Sequence, residues 1–196
     1  MIRFQATTFS VLVAGLVAGL LLRATYSHAQ SDTHAHPSSA SEHSSSLGIP
    51  KAMQAEHEAL HSELAQLTNA GGRTGEAAQA VAHVLDHHFQ KENEYALPPL
   101  GLLVPLSEGK FDCGMTAVLP MTEQLQADMS TMLAEHKDIA AALSQLKNAA
   151  TSENKPEGVK FADELAAHAQ NEEQITYPTA LLIGLYVKGK SAQCSR

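Results

Sequence analysis

The chain of 196 residues is long enough for one domain with its own apolar core. Its formal net charge of −8 argues against nucleic acid as a partner, because such partners require basic surfaces. The chain contains 11 histidines and no tryptophan, and its abundance of Ala, Leu, Glu and Gln favours helix over strand. We therefore expect an all-α protein with an unusual content of histidine.

The first 29 residues have the pattern of a secretory signal peptide. Arg3 precedes an apolar run at 9–22, and Ser27, His28 and Ala29 fit a signal-peptidase site. The run is shorter than the roughly 20 residues of a membrane span, so cleavage is favoured over a retained membrane anchor. We expect a periplasmic or secreted protein that meets a membrane only if this segment stays uncleaved.

Residues 30–48 are rich in Ser and His and contain almost nothing apolar to bury, so we predict a disordered linker. Its histidines are read as solvated polar residues, because no scaffold fixes them as metal ligands. The folded domain is expected at 49–188, followed by a tail at 189–196.

Capping and breaking residues divide the domain into four helices, predicted at 50–70, 74–97, 122–150 and 156–176. The Gly71-Gly72 pair separates the first two helices, and a short polar turn separates the last two. A longer stretch rich in proline and glycine joins the two hairpins. Short turns within hairpins and one longer crossover predict an antiparallel four-helix bundle.

The two predicted hairpins repeat each other. The pattern A-E-H-x6-L-x-Q-L occurs around His57 and again around His136. In the second helix of each hairpin, the intervals from His to Glu and from His to Pro are identical, starting at His88 and at His168. The bundle is therefore predicted to be a duplicated helix hairpin.

A histidine replaces an apolar residue within the buried stripe of every helix, at similar distances from the turns. In the second and fourth helices a glutamate follows one turn later. The residues concerned are His57, His88, Glu92, His136, His168 and Glu172. A hydrogen-bonded His–Glu network without metal is the alternative, but burying so many polar groups together calls for compensating cations. Mixed imidazole and carboxylate donors suit iron, manganese or zinc, and two carboxylates suit a pair of ions.

The order lone His, H-x-x-x-E, lone His, H-x-x-x-E resembles the hemerythrin and HHE cation-binding family over about residues 50–180. The resemblance implies a non-haem di-iron centre in which Glu92 and Glu172 bridge the ions and the histidines are terminal ligands. It further implies a binding module for O₂, NO or the metal itself. A di-iron oxidase or peroxidase and a structural or buffering zinc or iron bundle are the alternatives, with manganese also compatible.

The chain departs from the respiratory hemerythrins on the third helix. Those proteins place two histidines four residues apart there, whereas His136 has Met132 and Ala140 at that interval. His61, four residues after His57, is either a further imidazole ligand or an exposed residue of the helix surface. Glu173 is an alternative to its neighbour Glu172.

Two cysteines in an exported protein usually pair, so we predict a disulfide between Cys113 and Cys194. It would tie the mid-chain loop to the C-terminal tail and stabilise the fold by about 4 kcal/mol on chain-entropy grounds. A redox role for the pair is the alternative.

Overall fold

A computed structural model describes residues 47–195 of the chain, and these residues form helices without any strand. The fold class predicted from the sequence is thereby confirmed. The predicted signal peptide and nearly all of the predicted linker lie outside the described residues. The helices are α1 (Lys51–Thr68), α2 (Gly72–Lys91), α3 (Leu103–Ser107), α4 (Leu119–Ser152), α5 (Pro156–Asn171) and α6 (Tyr177–Lys190).

Helices α1, α2, α4 and α5 form the bundle, in which α2 packs against α1 and α4, and α5 packs against α4 and α1. One tight turn connects the two helices of each hairpin. Gly71 and Gly72 have φ angles of 68° and 62°, a conformation that glycine adopts at no steric cost. The second turn uses Asn154, whose φ angle is 54°. Residues suited to left-handed backbone thus end both α1 and α4.

The last part of the chain differs from the sequence-based expectation. The fourth helix was expected to end near residue 176, ahead of Pro178, but it continues through a π turn (Glu172–Thr176) directly into α6. The Tyr177 N–H bonds to the Glu172 carbonyl across this wider turn. The π turn interrupts the i→i−4 pattern immediately before Pro178, where the proline ring would otherwise clash with the preceding turn.

The second helix contains a π turn at the corresponding place. It spans Glu92–Ala96, and the Leu97 N–H bonds to the Glu92 carbonyl at 2.9 Å. Both π turns therefore begin at the glutamate of an H-x-x-x-E motif. Such turns widen a helix by one residue and change which side chains face inward, and they are frequent at functional sites.

The crossover and the C-terminal segment are fastened to each other. Short 3₁₀ helices (Pro98–Leu102 and Cys113–Val118) flank α3 in the crossover, and a third (Ser191–Ser195) follows α6. The predicted disulfide is present, joining Cys113 to Cys194 with the Cα atoms 5.6 Å apart. A Cβ atom on Gly184 would lie 2.3 Å from the Thr122 hydroxyl, so glycine is needed for the close approach of α6 to α4.

The interior consists of two apolar clusters with a polar layer between them. The cluster near the two turns contains Leu64, Leu85, Leu146 and Phe161, among others. The cluster near the crossover and α6 contains residues such as Leu97, Leu125 and Val187. The six histidines and glutamates of the sequence pattern lie between these clusters along each bundle helix. Within residues 47–195, no helix has both the length and the apolar character of a membrane span.

Candidate metal centre

All six polar residues selected from the sequence point into the bundle, and none is more than 5% exposed. They come from four helices and the two π turns, so the local sequence of each element sets one part of the site. Their ligand-type atoms fall into two groups that share Glu172. The first group is His88, Glu92, His136 and Glu172, and the second is His57, His168 and Glu172.

The first group is held closely together by α2, α4 and the π turns. The Nε2 atoms of His88 and His136 are 2.8 Å apart. The Glu92 Oε1 atom lies 3.4 Å from His88 Nε2, and the Glu172 Oε2 atom lies 3.5 Å from His136 Nε2. Two imidazole nitrogens and two carboxylate oxygens therefore surround one small volume.

The second group is formed by α1, α5 and Glu172, and an oxygen of Glu92 also approaches it. The Oε1 atom of Glu172 lies 3.0 Å from His168 Nε2 and 3.5 Å from His57 Nε2. The Glu92 Oε2 atom lies 3.8 Å from His57 Nε2. Each carboxylate consequently presents one oxygen to the first group and the other oxygen to the second. This is the arrangement required of carboxylates that bridge two ions.

Three of the four imidazoles are oriented from behind by a carboxylate. His88 Nδ1 lies 2.9 Å from Glu135, His168 Nδ1 lies 3.0 Å from Glu56, and His136 Nδ1 lies 2.9 Å from Glu173. An ionised carboxylate can only accept, so Nδ1 carries the hydrogen, and in the neutral ring the Nε2 lone pair is free to face the site. Carboxylate–imidazole pairs of this kind fix the ring and increase its basicity as a metal ligand.

The roles of Glu56 and Glu135 were missed at the level of the sequence, although the repeat contained the signal. Each residue is the Glu of an A-E-H pattern, directly before a lone histidine. Each supports the H-x-x-x-E histidine of the other hairpin: Glu56 binds His168 and Glu135 binds His88. Lys91 also pairs with Glu135. The duplication therefore repeats the supporting carboxylates as well as the ligands.

His57 lacks such a supporting carboxylate. Its buried Nδ1 and Nε2 atoms have no hydrogen bond among the described residues, and its ring stacks on Phe89 at 4.6 Å. The residue equivalent to Glu173 in the first hairpin is Asn93, which is exposed. His57 and Asn93 both line a surface pocket together with Leu47, Ile49, His61 and Pro98.

Several buried ligand-type atoms lack hydrogen bonds among the described residues. They are His57 Nε2, His168 Nε2, Glu92 Oε2 and Glu172 Oε1, with His57 Nδ1 on the outer side. Leaving buried polar atoms unsatisfied costs about 1–3 kcal/mol each. Because four of these atoms belong to residues of the two ligand groups, the donor set fits cations held there.

The charges of the site also favour positive ions. Burial by itself lowers the pKa of His168, but the nearby carboxylate of Glu172, helped by Glu56, raises it to about 9. Burial likewise lowers the pKa of His88, but the neighbouring Glu92 carboxylate outweighs burial and raises it. Burial alone would raise the pKa of Glu172, but three surrounding histidines lower it. The cluster therefore stabilises added positive charge, supplied either by protons or by metal ions.

The net pKa shift of the second glutamate has the opposite direction. Burial raises the pKa of Glu92 above the ordinary value, and His88 opposes this shift without reversing it. The nearby negative charge of Glu172 adds to the increase. Two carboxylates this close do not both ionise readily without cations between them, which fits a site that holds metal ions.

Tyr177 belongs to the site but was not selected from the sequence. Its side chain is fully buried, and its hydroxyl donates to Glu92 Oε1 at 2.6 Å. Continued past Glu172, the regular apolar spacing of the fourth helix predicts that Ile175 is buried, but its side chain is 60% exposed. The π turn shifts the inward face by one residue, so Thr176 and Tyr177 are buried in its place. Regular helical spacing could not reveal this.

The two additional candidate ligands, His61 and Glu173, lie outside both groups. His61 is exposed, and its ring contacts Phe89 at 4.6 Å in an edge arrangement. Glu173 binds the outer nitrogen of His136 and does not replace Glu172. The helical register explains both positions. His61 follows His57 by slightly more than one turn, so its side chain is turned toward the surface. Glu173 is the residue after Glu172, so its side chain leaves the helix in another direction.

The hemerythrin HHE cation-binding domain is the family whose model matches this chain, over residues 48–180. Comparison with the curated proteins and with the solved structures found no match. The matched residues include both hairpins, both π turns and every residue of the two groups. The chain therefore belongs to the hemerythrin HHE cation-binding domain family.

Proposed function

We propose that the chain is an exported protein that holds two non-haem iron ions and binds O₂, NO or the metal itself, rather than an enzyme. One observation carries this proposal: Glu92 and Glu172 each direct one oxygen to the His88–His136 pair and the other to the His57–His168 side. A single ion would leave one of these two sets of ligands uncompensated.

The donor atoms support iron over calcium and over soft metals. Imidazole and carboxylate ligands suit iron, with manganese and zinc as alternatives, whereas calcium prefers oxygen alone. Both cysteines of the chain are joined in the disulfide, so no thiolate is left to hold a cluster or a soft metal. When bound, ferrous iron would supply the electrons and the coordination positions that diatomic ligands require.

The side of the centre formed by His57 supports binding of a small ligand. His57 and His168 offer two imidazoles, and Glu92 and Glu172 offer one oxygen each, a donor set that leaves positions open on iron. The surface pocket next to His57 lies on this side. Phe89 stacks on the His57 ring, and Leu47, Ile49 and Pro98 form an apolar part of the pocket that suits O₂ or NO.

Export is proposed from the N-terminal sequence pattern and is supported by the cysteines. Residues 1–29 have the order of charge, apolar run and small residues that marks a signal peptide. A disulfide persists in an oxidising compartment such as the periplasm. Mass spectrometry of the protein from its native host should show a mature chain that begins near Gln30; an intact N-terminus would contradict export by cleavage.

The function is tested by anaerobic loading of the purified protein with ferrous iron, followed by admission of air. The proposal expects two iron ions per chain and a visible absorption band that disappears when oxygen is removed. Steady consumption of oxygen or peroxide would show an oxidase or peroxidase instead. A colourless protein that retains zinc would show a structural or buffering role. His83→Ala, which changes an exposed histidine outside the site, is the matched control.

A further inference from the structure

The hydroxyl of Tyr177 occupies the space between the ligand atoms of the first group. It lies 2.6 Å from Glu92 Oε1, 3.3 Å from His136 Nε2 and 3.4 Å from His88 Nε2. His88 Nε2 itself lies 2.8 Å from His136 Nε2 and 3.4 Å from Glu92 Oε1. The hydroxyl oxygen is therefore one more donor atom around the same point.

We infer that Tyr177 is a ligand of the ion held by His88 and His136, an assignment that rests on the function proposed above. A phenol oxygen is a hard donor like a carboxylate and is a known ligand of ferric iron in proteins. On ligation, an iron–oxygen bond forms and the hydroxyl proton is released, as with other protonated ligands. The ring is held in place for this role, since it stacks on His136 with the planes 23° apart.

The tyrosine acts at one ion position and not at the other. The residue equivalent to Tyr177 in the first hairpin is Leu97, which is also buried and lies in the apolar cluster near the crossover. The described residues place no phenol oxygen next to His57 or His168. The inference therefore predicts two unlike iron positions: one with an additional oxygen ligand, and one with more free positions on the His57 side.

The test uses the full chain loaded with ferrous iron, oxidised with ferricyanide and freed of excess reagent. Each ferrous ion loses one electron to one ferricyanide ion. We expect a visible phenolate-to-iron absorption band and tyrosinate ring vibrations in the resonance Raman spectrum. Tyr177→Phe should lose both signals and keep its helical circular dichroism. Tyr95→Phe should retain both, because Tyr95 is a buried tyrosine that bonds instead to Asp128.

A second variant keeps the test decisive if Tyr177→Phe does not fold. The chain has four tyrosines, so changing Tyr26, Tyr95 and Tyr186 together to phenylalanine leaves Tyr177 alone. This variant should retain the tyrosinate vibrations. Their absence from wild-type protein that contains two iron ions, or their persistence in Tyr177→Phe, would overturn the inference and leave the proposed function standing. Failure of the wild-type protein to bind iron would instead remove the proposed function and the inference together.

Discussion

The two hairpins of the bundle supply the same ligands but different surroundings. Each gives a lone histidine, an H-x-x-x-E pair and a glutamate that supports the other hairpin. Only the second hairpin adds Glu173 behind a lone histidine and Tyr177 next to the ligands. The first hairpin has Asn93 and Leu97 at those places. The comparison teaches that duplication produces a symmetric ligand set, and that a few unrepeated residues make its two halves unequal.

The shared glutamates offer the largest effect. Glu172 belongs to both groups of ligands, so Glu172→Ala should reduce bound iron from two ions per chain to almost none. Glu92→Ala should also greatly reduce it, because the Glu92 oxygens face both groups. Iron analysis after anaerobic loading measures the result. Glu164→Ala is the control, since Glu164 pairs with Lys160 on the surface. Full iron content in Glu172→Ala would contradict the bridging role.

The lone histidines should separate the two positions. His136→Ala removes a ligand of the first group, and His57→Ala removes one of the second, so each variant should retain about one ion. Titration with ferrous iron under anaerobic conditions gives the stoichiometry. We expect only the His57→Ala protein to keep a tyrosinate signal after oxidation, because its remaining ion lies next to Tyr177. His61→Ala should behave as the unchanged protein, and equal spectra for the two site variants would show that the positions are not distinct.

The supporting carboxylates should have a smaller effect on affinity. Glu56→Ala and Glu135→Ala each leave one ligand imidazole without its partner, which typically lowers metal affinity about 10–100-fold. The opposite change is available in the first hairpin, where Asn93→Glu introduces the carboxylate that His57 lacks and should strengthen binding about tenfold. Competition with a metal chelator measures both directions. Unchanged affinity in all three variants would show that the ring partners have no influence on the metal.

The turns that end the two hairpins also differ, because side chains of the second turn bond to the first. The smallest effect, on the stability of the fold, is expected there. The Glu153 carboxylate accepts from the N–H groups of Arg73 and Thr74 and from the Thr74 hydroxyl, so it caps α2 from the other hairpin. Lys155, next to Glu153 in the second turn, donates to the carbonyls of Ala70 and Gly71 in the first turn. The hydrogen bonds from Thr74 and Arg73 lower the pKa of Glu153 from 4.5 to about 2.

Because this pKa is depressed in the folded state, the stabilisation is present above pH 4.5 and is lost as the pH falls toward 2. Glu153→Gln should therefore lower the unfolding midpoint at neutral pH, and the difference from the unchanged protein should shrink in acid. Thermal unfolding of the metal-free protein between pH 2 and 7 would check this, with Glu157→Gln as the control. A difference that grows in acid would contradict the capping role.

Much of the fold and the main residues of the candidate site could be predicted from the sequence. The 3.6-residue spacing of apolar residues predicted the bundle. Histidines that take the place of apolar residues in that spacing marked the candidate ligands, and the structure brings them together. They are His57, His88, His136 and His168. The pairing of Cys113 with Cys194 followed from their number and the expected compartment.

Other features were beyond the reach of regular spacing. The π turns at Glu92 and Glu172 insert one residue into the helical register, which moved Ile175 to the surface and brought Tyr177 inside. Pro178 was read as a helix stop, because its effect depends on that same insertion. The roles of Glu56 and Glu135 depend on contacts between hairpins, which a single helix pattern does not specify.

The central claim is that two ions lie side by side between the four imidazoles and the two glutamates. Anomalous diffraction at the iron absorption edge, from crystals of the loaded protein, tests it most directly. Two peaks are predicted, one among His88, Glu92, His136 and Glu172 and the other among His57, His168 and Glu172. A single peak, or peaks elsewhere with these side chains bonded only to one another, would contradict the account.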